Sequence, residues 1–109
     1  MLAILGLIAG AIAIAGLVYL VARITIKWLK QWKTRKQNKV VALEAEALMK
    51  EIAKNPDIPH VSLDDLDDDD VILAEYDPDD DEIVNTGYAD EAGDIDRVLN
   101  SNDGIVILD

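Results

Sequence analysis

Residues 1–22 of the chain read MLAILGLIAGAIAIAGLVYLVA and contain no charged side chain. The segment that follows, residues 23–39, holds seven of the chain's ten lysine and arginine residues. One helix over residues 1–22 would be ~33 Å long, close to the ~30 Å hydrocarbon core of a bilayer. Lysine and arginine beside a membrane segment stay on the cytoplasmic side. The pattern therefore predicts a single-pass membrane protein with its N-terminus outside and its C-terminal tail in the cytoplasm.

A cleaved secretory signal is the alternative reading of residues 1–22. Such a signal begins with positive side chains, whereas here the positive charges follow the apolar run. This order favours a retained anchor and an all-α membrane fold. The expected parts are a transmembrane helix (1–22), a basic juxtamembrane segment (23–39), an amphipathic helix (40–54), a linker (55–62) and an acidic tail (63–109).

The charge of the chain is divided sharply along its length. Residues 23–54 carry a net charge of +6 and residues 55–109 carry −18, within a total of −12. The acidic part has no Trp or Phe and few large apolar residues, so burial would not offset its ordering entropy. We expect a mostly disordered tail. A small two- or three-stranded unit, with turns at Gly87, Gly93 and Gly104, and an inert solubilising tail are the alternatives.

Small side chains recur on one face of the predicted transmembrane helix, at Gly6, Gly10, Ala13 and Gly16. Gly6 and Gly10 form a GxxxG pair, which lets two helix backbones approach closely in a membrane. The pattern predicts a helix-packing face and a homo-oligomer. Gly and Ala are common in membrane helices in any case, and this is the competing explanation.

Aromatic and basic side chains follow at the depth where lipid headgroups would lie. The predicted lipid-interface residues are Tyr19, Arg23, Lys27, Trp28 and Trp32. Basic side chains near an anionic bilayer surface contribute about 1 kcal/mol each. We therefore expect a bilayer with anionic headgroups as one partner, although a signal that only fixes topology would need fewer charges.

Short apolar, β-branched runs alternate with acidic clusters in the tail. The two best candidate partner-binding runs are Val71, Ile72, Leu73 and Ile105, Val106, Ile107, Leu108. An apolar run of this length can add as a strand to the sheet of another protein, and acidic flanks would meet a basic surface. The second expected partner is therefore a protein with a basic surface.

The sequence offers little for chemistry. It has no cysteine, a single histidine, His60, and no glycine-rich phosphate loop. Residues 77–88 match the first three ligands of a calcium loop but have Glu82 where Gly is needed and Tyr88 where Glu is needed. We expect no enzyme, no metal site, no cofactor and no nucleic-acid partner, since an acidic tail repels phosphate.

These features predict a noncatalytic membrane protein whose acidic tail recruits a partner to a membrane assembly. Two alternatives share the layout of small viral single-pass proteins. One is a membrane-permeabilising protein of the viroporin or holin type. The other is a structural protein of a membrane-containing virus particle.

Overall fold

The computed structural model describes residues 2–56, 61, 63, 66, 67, 69–101 and 104–108. Helices and strands alternate along this part of the chain. The elements are α1 (Leu2–Ala15), β1 (Val18–Ile24), α2 (Ile26–Trp32), β2 (Lys39–Glu44), α3 (Ala45–Lys54), β3 (Val71–Asp77), β4 (Glu82–Ala92), α4 (Asp96–Ser101) and β5 (Ile105–Leu108).

The all-α membrane fold predicted from the sequence is wrong. The apolar N-terminal stretch divides into a helix of 14 residues, α1, and a strand, β1. Gly16 has φ +76° and its N–H donates to the Ile12 carbonyl, so a left-handed residue ends the helix. No helix in the described ranges is long and apolar enough to cross a membrane. The transmembrane helix over residues 1–22, the single-pass location and the predicted orientation are therefore corrected.

The five strands form one mixed sheet in the order β1-β4-β3-β2-β5. β1 pairs with β4 in parallel, and the other three pairings are antiparallel. β3 and β4 form a hairpin in which Leu73 lies opposite Gly87. β3 is thus the central strand, while β1 and β5 are the two edges.

Alternation along the strands divides the core between the two faces of the sheet. On one face, α1 and α3 contribute Leu5, Ile8 and Leu48, which pack with Leu43 and Ile72. The other face is covered by α2 and α4. The core residues of these helices and of the sheet beneath them include Leu29, Leu99, Val40, Ala42 and Leu73. The result is a three-layer α/β arrangement with helices on both faces.

The largely disordered tail is also corrected for the residues described here, because β3, β4, α4 and β5 all lie in it. Val71, Ile72, Leu73 and Ala74 are completely buried. The tail does not bury these residues alone. The N-terminal segment covers the sheet with α1 and adds a strand, so the apolar surface that the tail lacks comes from the other end of the chain.

The predicted amphipathic helix over residues 40–54 is shorter in the structure. Its first part belongs to strand β2, whose apolar residues are buried on both faces, and the helix covers Ala45–Lys54. Of the predicted linker, residues 57–60 and 62 lie outside the described residues, and so does His60.

Candidate functional site

One end of the sheet collects acidic side chains from four separate parts of the chain. β2 runs antiparallel to its neighbours β3 and β5, and β4 runs antiparallel to β3. The last residues of β2 and β4 therefore lie at the same end of the sheet as the first residues of β3 and β5. Glu44 ends β2, Glu91 lies near the end of β4, Asp69 precedes β3 and Asp96 begins α4. We call these four carboxylates the acidic end.

The acidic end lines a cavity of about 260 Å³. Its wall consists of Glu44, Asp69, Val71, Glu91, Ala92 and Asp96. Among the described residues, no basic side chain lines this cavity, and neither does a hydroxyl, amide or imidazole. A molecule that enters it therefore meets carboxylates and two small apolar side chains.

Partial burial raises the pKa of Glu44 above its ordinary value, and the negative charges of Asp96, Glu46 and Asp69 raise it further. Lys50 acts in the opposite direction, but its ammonium pairs with Glu46 at 3.1 Å. A cation brought to the acidic end would relieve this repulsion.

The backbone around Glu44 is held firmly. Its N–H donates to the Gly104 carbonyl at 2.8 Å, and the N–H of Ala45 donates to the Asp70 carbonyl at 2.9 Å. The start of α3 is thereby tied to the beginning of β5 and to the residue before β3. The Glu44 side chain makes no capping bond to the helix, and the residue lines the cavity.

The opposite end of the sheet is acidic as well. At the acidic end, Arg23 lies 4.0 Å from Glu91 and both side chains are mostly exposed, whereas at the opposite end the counter-charge pairs with a buried carboxylate. Asp77 is 2% exposed and accepts hydrogen bonds from the N–H groups of Asp79 and Asp80 at 2.9 and 3.4 Å. Arg35 lies 3.5 Å from its other oxygen. Carboxylate oxygens of Asp77, Asp80 and Glu82 lie within 4.8 Å of one another. Because Arg35 already pairs with the buried member, this geometry does not favour a metal ion.

Between the two ends, Glu75 is a completely buried carboxylate. Oε2 accepts hydrogen bonds from the N–H and hydroxyl of Thr34, both at 2.9 Å, and from the Asn38 amide at 2.6 Å. Oε1 accepts from the Asn85 amide at 2.8 Å. Burial by itself would raise the pKa of Glu75, but these four bonds outweigh it and hold the pKa below its ordinary value.

This cluster ties the loop after α2 to the sheet and has a structural role. One polar atom of it, Oδ1 of the buried Asn38, has no hydrogen-bond partner in the described structure. The sequence reasoning missed Glu75. The sequence signal was an acidic residue inside the apolar run VILAEYD. If that run is a buried strand, its glutamate must be buried with hydrogen-bond partners.

The predicted helix-packing residues lie on or just after α1. A Cβ added at Gly6 or Gly10 would meet nothing within 4 Å, and Ala13 is exposed, so these positions face away from the sheet. Gly16 lies beyond the helix. A second helix could therefore approach these glycines without a clash with the described part of this chain. Self-association through them stays a prediction.

The predicted lipid-interface residues are distributed over two elements. On β1, the Tyr19 hydroxyl donates to Asp90 at 3.2 Å and Arg23 lies 4.0 Å from Glu91. Lys27, Trp28 and Trp32 are on α2, where the two indoles stack with centroids 6.0 Å apart. Their placement at one membrane depth assumed a continuous helix, which the structure does not contain.

The two predicted partner-binding runs lie in the same sheet, with β2 between them. Val71, Ile72 and Leu73 form the buried start of the central strand β3 and are enclosed by this chain's own core. Ile105, Val106, Ile107 and Leu108 form the edge strand β5. Only the second run lies where another molecule could reach its backbone.

Comparison with known proteins adds no assignment to this geometry. Searches against protein-family models, curated proteins and solved structures each found no match.

Proposed function

We propose that this chain is a noncatalytic binding protein whose acidic end receives a basic segment of a partner protein. One observation carries the proposal: carboxylates from four separate parts of the chain line a single cavity that has no basic side chain in its described lining. Such an arrangement favours a cationic group, since each carboxylate gains an opposite charge and loses the repulsion of its neighbours.

The spacing of the carboxylates supports a lysine or arginine side chain over a metal ion. In the described part of the chain, the group of three ligand atoms close enough for a metal lies at the other end of the sheet. Calcium and magnesium need oxygen ligands within about 2.0–2.6 Å of the ion. A guanidinium or ammonium group on a flexible stem can contact carboxylates that are spaced more widely.

The overall charge supports the same partner. A chain with a net charge of −12 attracts a basic surface from a distance and accelerates encounter, most strongly at low salt. The same charge repels the phosphates of nucleic acids.

The proposal includes no reaction because the lining offers no group to stabilise a developing negative charge. Oxyanion stabilisation needs donors such as backbone N–H groups, amides or cations, and the side chains in the described wall are carboxylates and hydrocarbon. Both the membrane-permeabilising and the viral membrane alternatives assume a helix that crosses a membrane, and no helix in the described ranges is long and apolar enough for that.

A binding titration with matched variants tests the proposal. The probe is a labelled peptide that alternates lysine with valine, titrated with the full chain at low and at physiological salt. In the test variant, Glu44→Gln is combined with Asp96→Asn. The control combines Asp80→Asn with Glu82→Gln, two exposed acids at the opposite end, and it changes the net charge equally.

We expect the test variant to weaken binding by about ten-fold and the control by less than about two-fold. Binding to the unaltered chain should weaken as salt rises. Equal losses in the two variants would show that only net charge matters, and the acidic end would then not be a binding site.

A further inference from the structure

The edge strand β5 presents backbone groups that no described part of the chain uses. In an antiparallel pair, successive residues point their N–H and C=O groups alternately toward and away from the partner strand. The Gly104 carbonyl accepts from the N–H of Glu44, while the Gly104 N–H donates to the Leu99 carbonyl. In this register the main-chain groups of Val106 and Leu108 face β2. Ile105 and Ile107 therefore direct their N–H and C=O groups outward.

The two edges of the sheet differ in how well they resist pairing with another strand. β1 has an irregular register between Tyr19 and Val21 and carries the charged Arg23, and both features discourage a further strand. β5 reads IVIL and has a regular register with β2 throughout. It contains no charge, proline or bulge, so it is the less protected edge.

The chemistry at the start of β5 indicates what can pair there. A Cβ placed on Gly104 would lie 3.6 Å from a carboxylate oxygen of Glu44, which also lines the acidic cavity. A strand along the outer edge of β5 would thus end beside the acidic end. Pairing of two copies would bring together two chains of net charge −12, whereas a basic segment gains from the same charges.

We infer that an extended segment of the basic partner adds to the sheet along β5 and directs a lysine or arginine at one end of that segment into the acidic cavity. This inference rests on the proposed function and names how the partner binds. The outward groups of Ile105 and Ile107 supply up to four main-chain hydrogen bonds. Side chains of the added strand extend the apolar surfaces formed by Val106 and Leu108 on one face and by Ile105 and Ile107 on the other.

Amide hydrogen exchange of the full chain, followed by NMR, provides the test. The probe is the peptide that alternates lysine with valine, and the control peptide has the same sequence with every main-chain amide N-methylated. The two have equal charge and equal side chains, but the methylated peptide has no N–H donor on either edge and cannot form a strand ladder. We expect the first peptide to slow exchange at Ile105 and Ile107 by about ten-fold. Val106 and Leu108 already bond to β2, so their exchange should change little.

A pair of variants at one position separates backbone pairing from side-chain contact. Ile107→Pro removes an outward N–H and leaves the bonds to β2 in place, whereas Ile107→Thr keeps the N–H and loses apolar surface. Circular dichroism and thermal unfolding first establish that both variants are folded. We expect Ile107→Pro to weaken binding of the lysine–valine peptide by about ten-fold and Ile107→Thr by less than about three-fold.

The outcomes separate this inference from the proposed function. If both peptides bind alike and both depend on Glu44 and Asp96, the acidic end binds cations but strand addition is wrong. If neither peptide binds, the proposed function fails as well. If Ile105 and Ile107 are protected without peptide and the chain sediments as a dimer, a second copy occupies the edge and the inference is overturned.

Discussion

Replacing the buried carboxylate of Glu75 by an amide should destabilise the fold by about 3 kcal/mol. Its two oxygens accept four hydrogen bonds. A bond to a charged acceptor contributes ~1.5–3 kcal/mol and a neutral one ~0.5–1.5 kcal/mol, so each weakens by about 1 kcal/mol in Glu75→Gln. The new NH₂ group also faces the Asn85 donor, which must rotate to offer its oxygen. Because glutamine is neutral, the free-energy cost of burying a charge is removed, and this offsets part of the lost hydrogen-bond energy.

Urea denaturation at neutral pH measures the effect, with Glu82→Gln as the matched control. Glu82 lies at the start of the neighbouring strand and is exposed, so its substitution should change the free energy of unfolding by less than about 0.5 kcal/mol. If Glu75→Gln were as stable as the control, the hydrogen-bond cluster would contribute nothing net and our account of it would be refuted.

The same substitution should alter the pH dependence of stability. The pKa of Glu75 lies below its ordinary value of 4.5 in the folded state. The contribution of the ionised carboxylate to the free energy of unfolding is therefore complete above about pH 4.5. It is lost as the pH falls through the lower folded-state pKa. Glu75→Gln lacks this dependence, so the difference in stability between the two proteins should shrink below about pH 4.5. A difference that stayed constant to low pH would contradict the assigned direction.

Three further predictions concern the core, the glycines and the acidic end. Leu73→Ala should lower the free energy of unfolding by about 2–5 kcal/mol in denaturant titrations because Leu73 is fully buried; an unchanged midpoint would argue against β3 as the central strand. Gly93→Ala should lower the melting temperature because its Cβ would collide with the Ile24 carbonyl. Gly10→Ala meets open space and should raise the free energy of unfolding by up to about 1 kcal/mol through helix propensity. Calorimetry measures both variants, and a less stable Gly10→Ala than Gly93→Ala would contradict this reasoning. Glu44→Gln should raise stability at neutral pH by less than about 1 kcal/mol. The raised pKa of Glu44 means that its ionised form is disfavoured in the fold, so the unaltered chain gains stability as the pH falls through that pKa and the variant does not; thermal unfolding across pH 4 to 8 would reveal any opposite trend.

The sequence predicted local features better than their assembly. A helix ending at Lys54 was expected, and the helix formers of Ala45–Lys54 do form one. The β-branched runs at residues 71–73 and 105–108 were predicted to form strands against the sheet of another protein, but both are strands of this chain's own sheet. The disorder prediction failed because it weighed the apolar content of the acidic tail alone. Burial depends on the whole chain, and the residues that cover the sheet, such as Leu5 and Ile8, lie far away in sequence.

The acidic end was beyond prediction for a related reason. Glu44 and Asp96 belong to segments that were assigned different roles, an amphipathic helix and a disordered tail. Only strand order and direction bring their carboxylates to one cavity. The hydropathy of the N-terminal run does not distinguish a membrane span from a buried helix followed by a strand. In the structure the helix ends just before Gly16, which has a positive φ.

The parallel pairing of β1 with β4 has a consequence for how the chain folds. Tyr19 and Asp90, which bond across this pair, are separated by 71 positions, whereas β3 and β4 are joined by a short turn. Closing the longer loop costs more entropy and slows the step that requires it. We expect the β3–β4 hairpin to form early and β1 to dock late. Substitutions in the hairpin should then slow folding, while substitutions in β1 should chiefly accelerate unfolding.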